Sequence, residues 1–387
     1  MGGLDELTRP ATDDDVVAGV PARLVAEPGS TEEAAEVIRR SAGLAVVVRG
    51  GGSKLDWGTP PERLDLIIDT RRLTGVVEHA AGDLITVVRA GTTMAELAER
   101  LGTQQLALDT PLAGATVGGT VAAGTSGPRR MLYGTARDLL IGITVVRADG
   151  VVAKAGGKVV KNVAGYDLGK LFIGSYGTLG LITQCAFRLH PVPPARAVIR
   201  ARVPDPGAAF AAVLGAQVVP SALEVDAPPG GEVEVAVLVE GSEEGVRDRA
   251  AACEKLLGGE TVEGEPGWWG GYPWEPGGTG LKLTAPLSKV PDLLDGQVAI
   301  RGSAGSGVLY AGLPASAEPA AVAGALERLR AAAIRAGGHA VVLTAPPAVR
   351  DIVDMWGPVD GLALMRRVKD QFDPEHRFAP GRFVGGI

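Results

Sequence analysis

Glycine is concentrated between residues 114 and 183, and this feature restricts most strongly how the chain can fold. Residues 114–127 read Gly-Ala-Thr-Val-Gly-Gly-Thr-Val-Ala-Ala-Gly-Thr-Ser-Gly, and residues 174–183 read Gly-Ser-Tyr-Gly-Thr-Leu-Gly-Leu-Ile-Thr. Glycine loses more conformational entropy on folding than any other residue, so this density needs a compensating role. The usual role is a close approach of backbone N–H groups to an anion. The pattern therefore predicts that this stretch wraps a large cofactor that carries phosphate.

The composition is typical of a globular protein and narrows the classes of ligand. The chain has 387 residues, of which 46% are hydrophobic and 21% charged, so it is long enough for two or three domains. The net charge of −7 without a basic run argues against nucleic acid as a partner. The two cysteines, Cys185 and Cys253, are too few for an iron–sulfur cluster or a zinc knuckle. We expect both to be buried apolar residues, and we predict no metal site.

The sequence contains no segment that is typical of secretion or of membrane insertion. Residues 1–15 are acidic and lack an apolar core, so we do not expect a signal peptide. No run of 18 uncharged apolar residues exists. We therefore expect a cytoplasmic protein, with peripheral membrane association through a partner left open.

A short apolar strand is predicted at residues 44–48, and it leads into Arg-Gly-Gly-Gly-Ser-Lys at residues 49–54. Three glycines, a hydroxyl and two cations are a plausible loop for a diphosphate. A flexible surface turn is an equally good interpretation of the same residues. The spacing of a Walker loop is absent, and so is the Gly-x-Gly-x-x-Gly pattern of a Rossmann site.

Predicted helices and strands alternate irregularly in the first half of the chain, which favours an α+β fold over a doubly wound sheet. His-Pro-Val-Pro-Pro at residues 190–194 breaks both helix and strand, so we place a domain boundary there. Beyond it, paired strands and helices predict a second α+β domain. A split ferredoxin-like sheet is one arrangement that fits this order. The predicted domains are 1–192, 193–359 and a C-terminal segment 360–387 that returns to the first domain.

These motifs together resemble one family of flavoproteins. Residues 49–53, 117–122, 166–168 and 174–183 are similar to the FAD-binding domain of vanillyl-alcohol-oxidase or PCMH-type flavoproteins. More narrowly, Gly-Pro-Arg-Arg at 127–130 and Lys-Asn-Val-Ala-Gly-Tyr-Asp-Leu at 161–168 resemble the FAD-binding E subunits of bacterial glycolate oxidases. The resemblance implies a PCMH-type domain of two α+β subdomains with FAD between them, followed by an α+β cap domain.

The resemblance assigns FAD contacts to two glycine-rich loops, to the strand that holds the adenine and to the closing segment. The diphosphate needs N–H donors, and the flavin ring needs flat backbone beside it. The residues assigned to FAD are Gly50, Gly51, Gly52, Ser53, Lys54, Pro111, Thr116, Val117, Gly118, Gly119, Gly124, Ser126, Gly127, Tyr166, Gly180, Ile182 and Arg382.

The chain departs from the family pattern in several places. Many relatives carry a histidine in the first loop that bonds covalently to flavin, whereas this chain has Gly52-Ser53-Lys54, so we expect non-covalent FAD. Ser175-Tyr176-Gly177 replaces the frequent Ser-Glu-Gly, and Ala379-Pro380-Gly381 replaces Asn-Pro-Gly. The histidine and glutamate metal ligands of the family's 2-hydroxy-acid dehydrogenases have no counterpart among His79, His190, His339 and His376.

No residue stands out as the catalytic base, and the catalytic residues therefore stay unassigned. Tyr133 and Tyr166 could cover flavin or fill core, and His339 and His376 are more typical of turns. The aromatic group at residues 268–274 could line the flavin, form an interface or pack a loop onto the cap. Candidate cations for a substrate carboxylate are Arg129, Arg130, Arg366, Arg367 and Arg382.

The sequence thus predicts an FAD-binding subunit of a glycolate oxidase or dehydrogenase complex that takes part in converting glycolate to glyoxylate. Its expected partners are a catalytic flavoprotein subunit and an iron–sulfur subunit. One alternative is a stand-alone FAD-dependent oxidoreductase that acts on D-lactate or another alcohol or 2-hydroxy acid. The other is a non-catalytic FAD subunit for electron transfer or scaffolding.

Overall fold

The computed structural model describes residues 4–157 and 167–387. Its residues group into two units. The first comprises the described parts of Met1–Ser126, Thr135–Val192 and Val359–Ile387. The second comprises Gly127–Gly134 and Pro193–Pro358. The inclusion of Gly127–Gly134 in the second unit has no counterpart in the sequence-based division.

The secondary structure mixes strands and helices throughout the described chain, in agreement with the α+β prediction. The strands are β1 (Thr8–Pro10), β2 (Val16–Val17), β3 (Val20–Pro21), β4 (Leu24–Ala26), β5 (Val46–Arg49), β6 (Leu66–Asp69), β7 (Val76–Ala80), β8 (Ile85–Arg89), β9 (Gln104–Gln105), β10 (Leu140–Val146), β11 (Val152–Gly156), β12 (Leu181–Arg188), β13 (His190–Pro191), β14 (Ala195–Val203), β15 (Ala222–Ala227), β16 (Val233–Gly241), β17 (Glu260–Val262), β18 (Thr279–Thr284), β19 (Ala299–Ser303), β20 (Val308–Leu313) and β21 (Ala340–Thr344). The helices are α1 (Thr31–Arg40), α2 (Met94–Leu101), α3 (Val117–Ala123), α4 (Arg130–Tyr133), α5 (Ala136–Leu139), α6 (Gly169–Phe172), α7 (Pro206–Gly215), α8 (Glu243–Leu257), α9 (Pro319–Arg335), α10 (Pro347–Arg350) and α11 (Leu362–Phe372). Short 3-10 helices lie at Ala81–Asp83, Leu287–Leu293, Ala304–Ser306 and Val384–Gly386.

The first unit contains two principal sheets. One has the order β1-β4-β6-β5, in which β4, β6 and β5 run parallel. The other is antiparallel, with the order β11-β10-β12-β8-β7. Strands β5 and β6 are almost wholly apolar because both of their faces are covered. Within this second sheet, β7 and β8 form a hairpin, and so do β10 and β11.

Helix α1 begins where its capping signal predicts. The Ser30 hydroxyl accepts a hydrogen bond from the Glu33 backbone N–H at 3.0 Å, which satisfies one of the free donors of the first turn. The side chains of Ala34 and Ile38 then pack in one core with Val46 of β5 and Leu181 of β12. This core holds the end of β5, and therefore the loop that follows it, in place.

Residues 117–123, which the sequence predicts as part of a second glycine loop, instead form the helix α3. The Thr116 hydroxyl caps it by accepting from the Gly119 N–H, and Gly124 ends it at a φ of 63°. Val117 and Val121 are buried on one side of this helix, at the i and i+4 spacing of a helical face. The apolar spacing therefore outweighed the low helix propensity of two adjacent glycines.

The second unit is built on one antiparallel sheet with the order β17-β14-β16-β15-β19-β20-β18-β21. Its first half, β14-α7-β15-β16-α8-β17, has the ferredoxin-like order of strands that the sequence suggested. The second half repeats this arrangement with the 3-10 helix Leu287–Leu293 in place of the first helix, and the halves join where β15 pairs with β19. Strands β17 and β19 were not predicted, because β17 has only three residues and β19 is poor in β-forming residues.

One face of this sheet forms the largest core of the molecule. Helices α7, α8 and α9 cover it through residues such as Val213, Cys253 and Leu329, which are 0–1% exposed. Cys253 is buried there and Cys185 is buried in the first unit, so both thiols are apolar core residues as predicted. Within the described residues, no helix is both long and apolar enough to cross a membrane.

Candidate functional site

Two adjoining cavities lie in the first unit and share a wall of small residues. The first has about 540 Å³ of empty space, open to solvent, and the second about 420 Å³. The first is lined by Val48, Gly50, Gly51, Gly52, Ser53, Lys54, Leu55, Thr116, Gly119, Ala122, Ala123, Tyr176 and Arg382. The second is lined by Val48, Gly50, Thr70, Ala90, Gly118, Gly119, Ala122, Tyr176, Gly177, Gly180 and Ile182. We call the two together the glycine cradle.

The first wall of the glycine cradle is the loop that follows β5. A Cβ atom on Gly51 would lie 1.8 Å from the Gly114 carbonyl oxygen, so only glycine lets the two glycine-rich segments meet. Arg49, at the end of β5, does not serve the loop as a cation. Its Nη2 donates to Asp15 at 2.8 Å and its Nε to Asp69 at 2.9 Å. The sequence predicted two cations in this loop. Arg49 instead fixes the base of the loop, and of these two residues only Lys54 lines the cavity.

The two glycines of α3 have different roles. The Gly118 N–H donates to the Ala90 carbonyl at 2.8 Å, and a Cβ at Gly118 would lie 2.8 Å from the Ala90 Cβ. Gly118 is thus required for α3 to pack at the end of β8. A Cβ at Gly119 would meet only the Thr116 hydroxyl, at 3.1 Å. Gly119 lines both cavities and keeps them open.

Tyr176 forms part of both cavity linings and was not among the predicted contacts. Its backbone has a φ of 55°, which is uncommon for a bulky residue, and its ring packs against Phe383 with centroids 5.4 Å apart. The one signal in the sequence was that tyrosine interrupts the small residues around it. The C-terminal segment supplies the second ring, together with the neighbouring Arg382.

Arg382 is 3% exposed, yet its guanidinium is only partly paired. Its Nη2 donates to the carbonyls of Leu55 at 2.8 Å and Trp57 at 2.6 Å, which fixes the side chain. Its Nε has no hydrogen-bond partner among the described residues. Burial lowers the pKa of Arg382 to about 10, against the opposing influence of Tyr176 and Asp56. Arg382 also lines the first cavity, so its positive charge is suited to an anion there.

Lys54 is the second cation of the glycine cradle. Its Nζ lies 3.4 Å from the Ser53 hydroxyl and 5.8 Å from the centroid of the Trp57 ring. Burial lowers the pKa of Lys54 to about 8. As far as the structure describes them, the cavity linings contain two cations and no carboxylate. Backbone N–H groups, small walls and two cations fit a dinucleotide with a diphosphate.

The structure brings together eleven of the predicted contacts in the glycine cradle. These are Gly50, Gly51, Gly52, Ser53, Lys54, Thr116, Gly118, Gly119, Gly180, Ile182 and Arg382.

The other predicted contacts lie elsewhere or outside the described residues. Val117 is a core residue, and the Ser126 hydroxyl accepts from the Ala136 N–H. Gly124 ends α3, and Pro111 is exposed outside both linings. Gly127 belongs to the second unit, where its carbonyl accepts from Arg130. Tyr166 lies outside the described residues.

The second unit has a different kind of polar site on the sheet face opposite its helices. Cross-strand pairing places five side chains of adjacent strands in one row, which we call the central row. It consists of Glu234, Asp226, Arg301, Tyr310 and Lys282. Arg301 donates to Asp226 at 2.8 Å, and Arg130 donates to the Tyr310 hydroxyl at 3.4 Å. Arg130 therefore contacts the phenol of Tyr310, whose cross-strand neighbours Arg301 and Lys282 are also cations.

Aromatic side chains cover part of this face. Tyr272 stacks on Trp274 with centroids 4.5 Å apart and meets Tyr310 edge-on at 4.8 Å. Trp268 and Trp269 pack against the apolar patch of Val198, Ala222, Ala236 and Leu238 on the same unit. These contacts correspond to the interpretation of residues 268–274 as a loop that packs onto the cap.

The histidines and the remaining candidate side chains do not form a catalytic group in the described part of the chain. His79 bonds to Gln104 at 2.9 Å, and His376 pairs with Asp370 at 2.8 Å. His339 is exposed. The Tyr133 hydroxyl donates to Glu240 at 3.1 Å. No cluster of metal-binding side chains occurs in residues 4–157 and 167–387.

Much of the glycine cradle lies in a segment that matches a known protein family. Residues 22–156 match the family model described as the FAD binding domain. Glycolate oxidase subunit GlcE of Escherichia coli (strain K12) is 34% identical over 57% of this chain and 61% of its own length. Glycolate oxidase subunit GlcD of Bacillus subtilis (strain 168) is 30% identical over 52% of this chain and 44% of its own length. D-lactate dehydrogenase of Archaeoglobus fulgidus is 34% identical over 43% of this chain and 39% of its own length. The chain thus aligns with less than two thirds of each relative.

Solved structures share the fold over most of the chain. Alkyldihydroxyacetonephosphate synthase superposes with a TM-score of 0.68 and 17% identity, over 93% of this chain and 76% of that one. The structure of FgChi7B gives a TM-score of 0.66 and 14% identity, over 92% of this chain and 90% of that one. At these identities the likeness establishes the fold alone.

Proposed function

The chain carries a PCMH-type FAD-binding domain, and from this premise we propose that it is the FAD-binding subunit of a glycolate oxidase-type complex. In this role it takes part in oxidising a small 2-hydroxy acid, with glycolate as the substrate. The observation that carries the proposal is the glycine cradle with its two cations and without a carboxylate. The similarity to GlcE supports the choice of complex.

The residues of the cradle fit non-covalent FAD. The N–H groups of residues 50–54, the Lys54 ammonium and the Arg382 guanidinium would hold the diphosphate. The small residues beside α3 leave room for flat rings, and Ile182 lies in the lining next to Gly180. When bound, FAD supplies a two-electron acceptor for the C–H bond beside a hydroxyl. The first loop offers Ser53 and Lys54 where a covalent linkage would need histidine, so the flavin is released when the protein unfolds.

We assign the substrate carboxylate to the central row of the second unit. Among the described residues, Lys282 has no ion-pair partner, although it is half-buried beside Tyr310. Arg130 already points to the Tyr310 hydroxyl, while Arg301 is partly neutralised by Asp226. A carboxylate that accepts from Lys282 and Tyr310 would supply the missing negative charge. This assignment concerns binding and leaves the base that takes the hydroxyl proton unassigned.

The complex would contain a catalytic flavoprotein subunit and an iron–sulfur subunit. This chain has no set of cysteines for a cluster, since Cys185 and Cys253 are each buried alone in different units. Electrons that reach its flavin would therefore pass to a partner. A cytoplasmic location, with membrane association only through such partners, stays a prediction.

Two alternatives have an observation in their favour. The similarity to D-lactate dehydrogenase of A. fulgidus favours a stand-alone oxidoreductase for D-lactate or another alcohol. The paired or exposed state of His79, His339 and His376 favours a non-catalytic FAD subunit for electron transfer or scaffolding.

One experiment separates these functions. The full chain is purified, its flavin is measured by absorbance after acid precipitation, and glycolate or D-lactate is added without oxygen. Dithionite serves as the control that the bound flavin can be reduced. We expect FAD in the supernatant and no rapid bleaching by glycolate until the partner subunits are added.

Each other outcome has a defined meaning. Rapid bleaching of the isolated chain by D-lactate or glycolate would support the stand-alone enzyme. Flavin that bleaches with neither substrate, even in the complete complex, would support the scaffold. A chain that neither contains nor takes up FAD would contradict the proposal, and flavin in the pellet would contradict non-covalent binding.

A further inference from the structure

The C-terminal segment of the first unit contains a fully buried lysine. Lys369 of α11 is 0% exposed, and its Nζ donates three hydrogen bonds. These go to the Thr178 carbonyl at 2.8 Å, the Phe378 carbonyl at 2.8 Å and the Asp373 carboxylate at 2.7 Å. The same carboxylate oxygen accepts from the Phe378 N–H at 2.7 Å. One ammonium thus links three positions on separate parts of the chain.

Two of these positions belong to segments that line the glycine cradle. Thr178 lies within the loop whose Tyr176, Gly177 and Gly180 form cavity wall. Phe378 begins the run that ends at Arg382. The Val46 N–H donates to the Arg377 carbonyl and the Ala379 N–H to the Val46 carbonyl, so this run lies along β5. Lys369 therefore connects the loop on one side of the cavity to the cation on another.

Stability alone does not account for a charge at this place. Burying an ion pair carries a desolvation cost that often cancels its attraction, and apolar residues of similar size commonly serve as well. The bonds of Lys369 to two backbone carbonyls instead fix the separation of two chain segments. The contact between the Tyr176 and Phe383 rings joins the same two segments closer to the cavity.

We propose that Lys369 is a positioning residue for FAD, which acts by holding the loop around Thr178 and the segment that carries Arg382 at the separation that the cofactor requires. The inference rests on FAD occupying the glycine cradle. Lys369 itself is absent from both cavity linings, so its effect must pass through residues such as Arg382.

A double-mutant cycle with Lys369→Met and Arg382→Met in the full chain tests this proposal. FAD dissociation constants are measured by titrating the apoprotein, and thermal unfolding is recorded for each variant. Each single variant is expected to weaken FAD binding about tenfold or more. If Lys369 acts through Arg382, the double variant weakens binding by much less than the product of the two factors.

Leu139→Ala is the control for lost stability, because Leu139 is 0% exposed in the same unit and lies outside both cavity linings. It should lower the unfolding temperature while leaving the FAD dissociation constant unchanged. If Lys369→Met does not fold, Lys369→Gln replaces it in the cycle, since its shorter amide cannot donate to all three of the Thr178, Phe378 and Asp373 acceptors and therefore weakens the link.

Independent effects of Lys369 and Arg382, or unchanged FAD affinity in the Lys369 variant, would overturn the inference. In the same experiment, a wild-type chain that binds no FAD would instead overturn the assignment of the cradle. The two failures are therefore distinguishable.

Discussion

The two units present polar sites that are built in opposite ways. In the first, the cavity wall is mostly backbone and small side chains, and among the described residues Lys54 and Arg382 alone bring charge to it. In the second, five side chains from five neighbouring strands form the central row. A backbone wall requires glycines that are close in sequence, whereas a cross-strand row draws its members from distant positions. The first kind of site can therefore be recognised in a sequence and the second cannot.

The largest effect is expected from Gly119→Val, which tests whether the backbone wall serves FAD. The new side chain would extend into both cavities without meeting backbone, so FAD binding should be lost while the fold is retained. Flavin content and far-UV circular dichroism measure the two effects. Gly324→Val is the matched control, because Gly324 lies in α9 with open space at its Cβ.

Gly118→Val should behave differently from Gly119→Val. Its side chain would meet Ala90 at the end of β8, so it is expected to disrupt the packing of α3 as well as flavin binding. A Gly119→Val protein that retains normal flavin content would show that the cradle does not hold the cofactor.

An intermediate effect is expected from Lys54→Met, which tests whether this cation of the glycine cradle contributes to FAD binding. The diphosphate favours protonated Lys54, whose pKa is about 8 without ligand. FAD affinity of the wild type should therefore fall as the pH rises above 8. The variant should bind about tenfold more weakly at pH 7 and lose most of this pH dependence. Dissociation constants measured between pH 6.5 and 9.5 check both statements.

The stability of the apoprotein should show the opposite trend with pH. The ordinary pKa of lysine, 10.5, lies above the folded value of about 8, so the unfolded state binds more protons between these limits. The contribution of Lys54 to the free energy of unfolding therefore rises with pH across this window. If the pH profiles of wild type and Lys54→Met coincide, the side chain is not buried in this way.

The smallest effect is expected from Lys282→Met, which tests whether the central row of the second unit binds the substrate carboxylate. Loss of one partly exposed cation should raise the KM for glycolate several-fold in whichever preparation is active, the chain or its complex. Flavin content should not change, because Lys282 belongs to the second unit. Lys289→Met is a suitable control, since Lys289 is exposed and pairs with Asp292. If Lys282→Met and Lys289→Met both leave the KM for glycolate unchanged, Lys282 does not bind the substrate.

Local signals were reliable where neighbouring residues decide the structure. The hydroxyls of Ser30 and Thr93 cap α1 and α2, and the turn at residues 149–150 joins β10 to β11. The glycines at residues 50–52 line the cavity together. Each of these features depends on interactions within a few residues, which a single sequence displays directly.

Other features depended on partners far along the chain. Arg49 and Arg382 are both arginines beside glycines, yet Arg49 is neutralised by Asp15 and Asp69 while Arg382 lines the cavity. Asp15 is 34 residues from Arg49. Strand β19 is equally hard to predict, because pairing with β15 and β20 places its Ala-Ile-Arg-Gly-Ser sequence in a sheet.

The sequence by itself determined that this chain has glycine-rich loop segments and two α+β regions, because clustered glycines and apolar periodicity are local properties. The tertiary structure decided which cation faces the cavity, that residues 117–123 are helical, and that Lys369 bonds to Thr178, which lies 191 residues away in the sequence. It also assembled the central row from separate strands. These outcomes follow from burial and long-range hydrogen bonding, whose partners are chosen only when the chain has folded.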